Sequence, residues 1–246
     1  MEKLPRKSGT AEERLARLTD RATIDPDDAE HQAMQLQGAE RDEALEALVA
    51  ELAKTDAVRA ARIAGSIEDP VKRGQSLGFA LAQWASSDAD AVFAWLEATE
   101  EDERVKASVE RMALPALAEV DPARVAHWIA EGKATPQATE AAVVTTVQRW
   151  VQKDANAAAQ WVAAFDDERL VHEAMEPLVS LWTKQEAAGP AKWIEGMPAG
   201  KARDEACAAY AAALALTAPE EAVEWARKIE DPGLGAATMK RIEAAK

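Results

Sequence analysis

The stretch that decides the fold runs from Thr135 to Phe165 and reads TPQATEAAVVTTVQRWVQKDANAAAQWVAAF. Thr135 can cap a helix, and Pro136 suits a first turn, where its missing N–H costs nothing. Good helix formers and apolar residues then run to Trp150 and Val151. The helix should stop near Lys153. Asp154 reads as the N-cap of a second, shorter helix holding Ala158, Trp161, Val162 and Phe165. Those four stand at i, i+3, i+4 and i+7, which makes one apolar stripe.

Moving outward, the same layout recurs along the chain. Two apolar anchors mark each copy: Leu52 and Ile63, Trp84 and Trp95, Leu117 and Trp128, Trp150 and Trp161, Trp182 and Trp193, Leu214 and Trp225. The two anchors of a pair are always 11 residues apart, and the first anchor advances by 32, 33, 33, 32 and 32. A fixed period of this size is how stacked helical pairs show themselves in sequence. Four residues after the first anchor stand Asp56, Asp88, Asp121, Asp154 and Glu186, with Ala218 as the exception. A carboxylate there accepts orphan backbone N–H bonds and favours the positive end of the helix dipole. The pairs Asp69-Pro70, Thr135-Pro136 and Asp231-Pro232 open other helices in the same way.

First helices are therefore expected at 39–54, 70–86, 102–119, 136–152, 167–184 and 200–216. Second helices are expected at 57–66, 89–98, 122–131, 155–164, 187–196 and 219–229. Pro115, Pro177 and Pro190 fall inside these spans and should shorten, kink or displace the local helix. Residues 22–37 look like a worn second helix, and 232–245 like a lone first helix, as capping ends should. The fold class is all-α: a right-handed α-solenoid of about six helix-turn-helix repeats with degenerate terminal capping helices, forming one domain over 22–246.

The chain has 246 residues, 48% hydrophobic and 30% charged, enough apolar material for a core. Its net charge is −15. Nucleic-acid affinity comes mainly from Lys and Arg on phosphates, so a general DNA or RNA binder is not expected. Anionic membranes would repel the chain for the same reason. Residues 1–21 stand apart with a local charge of +2, leaving −17 for the rest, and read as a basic N-terminal arm, solvated and partly disordered or used for docking. No run of about 20 apolar residues exists to span a bilayer. A cytoplasmic location is expected, although a trimmed export signal would change that. The single cysteine, Cys207, sits among alanines and is expected as a small buried thiol.

The helix-turn-helix units, with small residues and one large aromatic in the second helix, resemble tetratricopeptide-type repeats. Where that family places Gly in the first helix, this chain has Ala47, Phe79, Met112, Thr145, Pro177 and Ala209. Asp121-Pro122-Ala123-Arg124-Val125 resembles the turn of HEAT repeats. Over about residues 40–246 the chain is most similar to bacterial proteins of unassigned role built from Trp-Ala-x-x-Asp-Pro repeats with a second-helix Trp. That resemblance implies the architecture and names no activity.

Two columns of residues are candidates for function. Trp95, Trp128, Trp161, Trp193 and Trp225 form either an aromatic ladder for a ligand or, as the stripe around Trp161 favours, buried anchors whose N–H groups find partners. Arg41, Arg73, Lys106 and Arg203 start first helices and are possible ligand-facing cations; the competing reading pairs them with nearby carboxylates such as Glu68, Asp69, Glu101, Asp102 and Glu103. His31, His127 and His172 lie in different units, and no metal, phosphate-loop or nucleophile-elbow spacing occurs. No cofactor is expected. The expected function is a non-enzymatic, monomeric scaffold for a protein or peptide with a basic segment. The alternatives are an enzyme on an α-solenoid frame, for example one that excises DNA bases, and a structural spacer that self-assembles.

Overall fold

The computed structural model describes residues 10–245. Among them are fifteen α-helices and no strand, so the chain is all-α. In order these are α1 (Ala11–Ile24), α2 (Pro26–Met34), α3 (Gly38–Leu52), α4 (Ala57–Ala64), α5 (Pro70–Ala85), α6 (Ala89–Ala98), α7 (Glu103–Val120) and α8 (Pro122–Ala130). They continue as α9 (Pro136–Lys153), α10 (Ala155–Ala163), α11 (Glu168–Gln185), α12 (Gly189–Glu195), α13 (Lys201–Leu214), α14 (Pro219–Ala226) and α15 (Pro232–Ala244).

From α3 onward long and short helices alternate, and every first helix begins within one residue of its expected start. Side-chain caps fix many of the starts of both kinds of helix, although α3 and α13 begin without one. Asp56, Asp88 and Asp154 accept the N–H groups of Arg59, Ala91 and Ala157, each at 2.9 Å. Asp69 accepts from Val71 and Lys72, and Asp102 from Arg104 and Val105. Each carboxylate fixes the residue at which its helix can start.

The expected basic arm over 1–21 falls partly outside the described residues, but from Ala11 the chain is α1. Thr10 and Glu13 form a capping box there, and Leu18 and Ala22 are buried where α1 packs on α2 and α3. Pro115 and Pro177 do not shorten their helices, for α7 and α11 run through both. Pro190 does displace its helix: α12 starts at Gly189, which puts the proline in the first turn. Gly189 suits that start because a Cβ there would lie 2.3 Å from the Trp182 Nε1.

The sequence suggests one domain, whereas by its internal contacts the chain divides into two compact units. One holds the chain up to Asp121 together with Glu131–Thr139; the other holds Pro122–Ala130 and the chain from Glu140 onward. In the first unit α3, α5 and α7 pack in succession, with α4 between α3 and α5 and α6 between α5 and α7. In the second unit α11, α13 and α15 pack in succession, with α12 and α14 between them.

Side-chain size sets the first of these approaches. A Cβ on Gly74 would stand 2.9 Å from the Ser108 Cβ, and one on Gly78 would stand 3.0 Å from the Met112 Sδ. Only glycine lets α5 come this close to α7. In the second unit the core is built of alanine and valine around Trp161, Trp182, Tyr210 and Trp225. The constant spacing of 11 between anchors has its cause here: Trp150 faces Trp161 at 5.9 Å, and Trp182 faces Trp193 at 6.0 Å between ring centroids. The two anchors of a pair meet across their own hairpin.

The linkers are tied down by buried acids. Asp42 on α3 accepts the Glu68 N–H at 3.0 Å and the Asp69 N–H at 2.9 Å. Burial alone would raise its pKa; the two N–H groups, together with the charges of Arg41 and Lys72, outweigh burial and hold the carboxyl below its ordinary range. Glu110 on α7, which is fully buried, accepts the Thr135 N–H at 2.8 Å through Oε2. The Lys106 Nζ stands 3.9 Å from its other oxygen. Here burial prevails over both partners and pushes the Glu110 carboxyl up.

Two outcomes follow. Gly74→Leu should cost about 1–3 kcal/mol by overpacking α5 against α7, read from denaturant unfolding. For Glu110 the folded pKa exceeds the ordinary value of 4.5. Its favourable contribution is therefore complete below that value and is lost as pH rises through the folded one. Glu110→Gln keeps an acceptor for Thr135 and removes the titration, so its melting temperature relative to wild type should climb as pH rises above 4.5. A difference constant with pH would show that Glu110 does not resist ionisation.

Candidate functional site

The expected cations are engaged. The Arg41 Nη1 lies 3.1 Å from the Glu68 Oε1, the Arg73 Nε 3.2 Å from the Glu101 Oε2, and the Arg203 Nη1 3.6 Å from the Glu230 Oε1. Lys106 faces Glu110. Each arginine pairs forward, with the linker before the next first helix and not with the acid just ahead of it in sequence. Arg73 also donates to the Ile67 and Glu68 carbonyls behind it. Arg41, Arg73 and Lys106 lie in the first unit and Arg203 in the second.

The tryptophan column is divided. Trp128, Trp161 and Trp225 are buried, whereas Trp95 and Trp193 are half-buried. Trp161 packs edge-on to Phe165 with centroids 4.7 Å apart, as a core anchor does. Its N–H is buried and finds no acceptor among the described residues, contrary to expectation. Trp225 lies 5.1 Å from Tyr210 and under the Lys228 Nζ at 3.5 Å from its ring centre.

The concavity with the most varied chemistry lies in the second unit. The side-by-side helices α11, α13 and α15 leave a groove of about 540 Å³, with an apolar floor of Phe165, Val171, Ala202 and Leu234. A smaller recess of about 150 Å³ continues it over Ala208, Ala209 and Ala237. The two share His172, Glu205 and Leu234. Two other concavities are larger. One, about 660 Å³ between α2 and α4, is crossed by Arg59 and Arg62, which both clamp Glu30. The other, about 630 Å³ beside Trp193, opens at the start of α13.

Three ion or hydrogen-bonded pairs cross the groove. Lys201 reaches Glu168, and the His172 Nδ1 lies 3.1 Å from the Glu205 Oε2. Arg241 on α15 spans α13 to reach Glu176 on α11, with Nη2–Oε1 at 2.6 Å and Nη1–Oε2 at 3.4 Å. Arg241 holds the Glu176 carboxyl below its ordinary range.

Asp204 positions the far wall. It accepts the Glu230 N–H at 3.0 Å and the Asp231 N–H at 2.9 Å, which fixes the entry to α15. This repeats the arrangement of Asp42 at the same place in its helix. The sequence carried that signal: Asp42 and Asp204 each stand 10 residues before a first anchor, beside apolar neighbours. The link from Glu176 to Arg241 spans 65 residues and has no such periodic mark.

Cys207 is buried beneath the groove, and burial pushes its thiol up. Among the described residues no group of three or more His, Cys, Asp and Glu is placed to hold a metal ion, and no helix is long and apolar enough to cross a membrane. Comparison with protein-family models, curated proteins and solved structures finds no match.

Asp204→Ala should leave two half-buried N–H groups without their acceptor. The expected loss is about 2–4 kcal/mol, read by chemical denaturation. A loss under about 0.5 kcal/mol would mean that α15 is held by packing alone.

Proposed function

We propose that this chain is a non-enzymatic scaffold, a right-handed α-solenoid of about six helix-turn-helix repeats closed by capping helices, that binds a protein or peptide segment. The observation that carries the reading is the groove across α11, α13 and α15. Its walls come from three successive first-type helices, so it can offer similar groups at regular intervals to an extended segment. Its floor is apolar and its rim is charged, which suits a peptide backbone flanked by alternating side chains.

Charge selects the partner class. The chain carries −15 in all, so basic segments approach it faster than acidic ones. The half-buried arginines Arg41, Arg73 and Arg203 serve the linkers in this reading and do not grip a ligand. The same reading takes the protein as a cytoplasmic monomer that uses no cofactor and binds neither nucleic acid nor membrane.

Fluorescence anisotropy with labelled decapeptides tests this. An alternating Arg-Ala peptide should bind, and an alternating Glu-Ala peptide should not. Binding should weaken by at least about tenfold between 0.05 and 0.5 M salt, over which the Debye length falls from about 14 to about 4 Å. Preference for the acidic peptide, or tight salt-sensitive binding of duplex DNA, would overturn the proposal.

A further inference from the structure

The ion pair between Glu176 and Arg241 differs from the others in the second unit. Pairs such as Lys201 with Glu168 tie one long helix to the next, whereas this one passes over α13 and joins α11 to α15. Both side chains stay more than half exposed, at 58% and 59%, although the contact is two-pronged. The recess beside them, about 150 Å³, is lined by Ala208, Ala209 and Ala237 together with Leu234 and Thr238. An exposed pair of this kind contributes little to stability. A planar guanidinium matched to a carboxylate is nonetheless the geometry that best recognises arginine.

We infer that Arg241 is an internal stand-in, and that an arginine of a basic partner segment takes its place on Glu176. This rests on the groove being the binding surface proposed above. The occupant is an extended segment of another protein carrying arginine. Charge complementarity selects it. The groove and recess together are lined by five carboxylates, against which the chain sets three cations, Arg169, Lys201 and Arg241, and His172. Displacing Arg241 returns Glu176 to the partner and leaves Arg241 free to turn into solvent. The segment would then lie over the alanine floor and reach toward Val171 and Leu234. Glu176 thus both selects the ligand and, while bridged, keeps the recess shut against weak ones.

The labelled Arg-Ala decapeptide, titrated against three forms of the whole chain, provides the test. Arg241→Gln should tighten binding by about threefold to fivefold, because the carboxylate no longer has to be released. Glu176→Gln should weaken it by at least about fivefold. Amide hydrogen exchange on the wild type supplies a measurement that needs no variant: α15 should exchange faster in the complex, having lost its tie to α11. If the peptide binds wild type but neither substitution changes its affinity and α15 exchange is unaltered, the scaffold reading survives and this inference fails. If no peptide binds any form, both fail. If a peptide of residues 1–9 binds more tightly than the Arg-Ala probe, the occupant is the chain's own basic terminus, and the inference of a foreign partner is overturned.

Discussion

A buried carboxylate that receives the backbone N–H groups of an incoming linker is the interaction on which the placement of these helices depends. Asp42 does this for the entry to α5, Glu110 for the entry to α9, and Asp204 for the entry to α15. Short helices have little stability alone and must be held by packing. A linker between them carries polar backbone that cannot be buried without partners. One acid in the preceding long helix solves both problems. It satisfies the linker and fixes where the next long helix begins. The arginines at the same helix starts then pair with the linker acids and cover the clamp from outside.

The same device is tuned by its surroundings. Asp42 meets two N–H donors, and they, together with the charges of Arg41 and Lys72, prevail over burial; Glu110 meets one, and burial prevails. The reason is the site of each. In the other helix pairs the position of Glu110 is held by Leu45, Leu77, Val143, Met175 and Cys207. Glu110 is thus an acid set in an apolar slot, because the place of Asp42 is taken by Ala107 in that helix. The longer side chain, one turn later, reaches the same target.

In the second unit the clamp has a consequence for the surface. By fixing the start of α15, Asp204 sets the width of the groove over α13, and small residues on α13 leave its floor open. Arg241 then falls opposite Glu176. Buried acids hold the walls, and exposed ones remain on the rim of the groove.

The sequence by itself determined the helices and their order. Asp and Pro at fixed places supply caps and first turns whose chemistry is local, so starts such as Pro70, Pro136 and Ala155 could be read without knowing any neighbour, although the Thr135 hydroxyl expected to cap α9 is buried without a partner among the described residues. The anchor spacing of 11 likewise reflects contact within one hairpin, as Trp150 and Trp161 confirm. What the sequence left open lies between hairpins. Among 44 acids it marked Asp42 and Asp204 only by their shared place 10 residues before a first anchor, and Glu110 not at all, since burial is a property of the neighbours packed around them. It left the cation column between ligand-facing groups and partners of nearby acids, while the fold carries Arg41 and Arg73 forward to Glu68 and Glu101 on the next linker. It gave no sign that Arg241 meets Glu176, because that contact depends on how α11, α13 and α15 lie together. Local chemistry is written in the order of residues; the groove and its bridge exist only once three helices have packed.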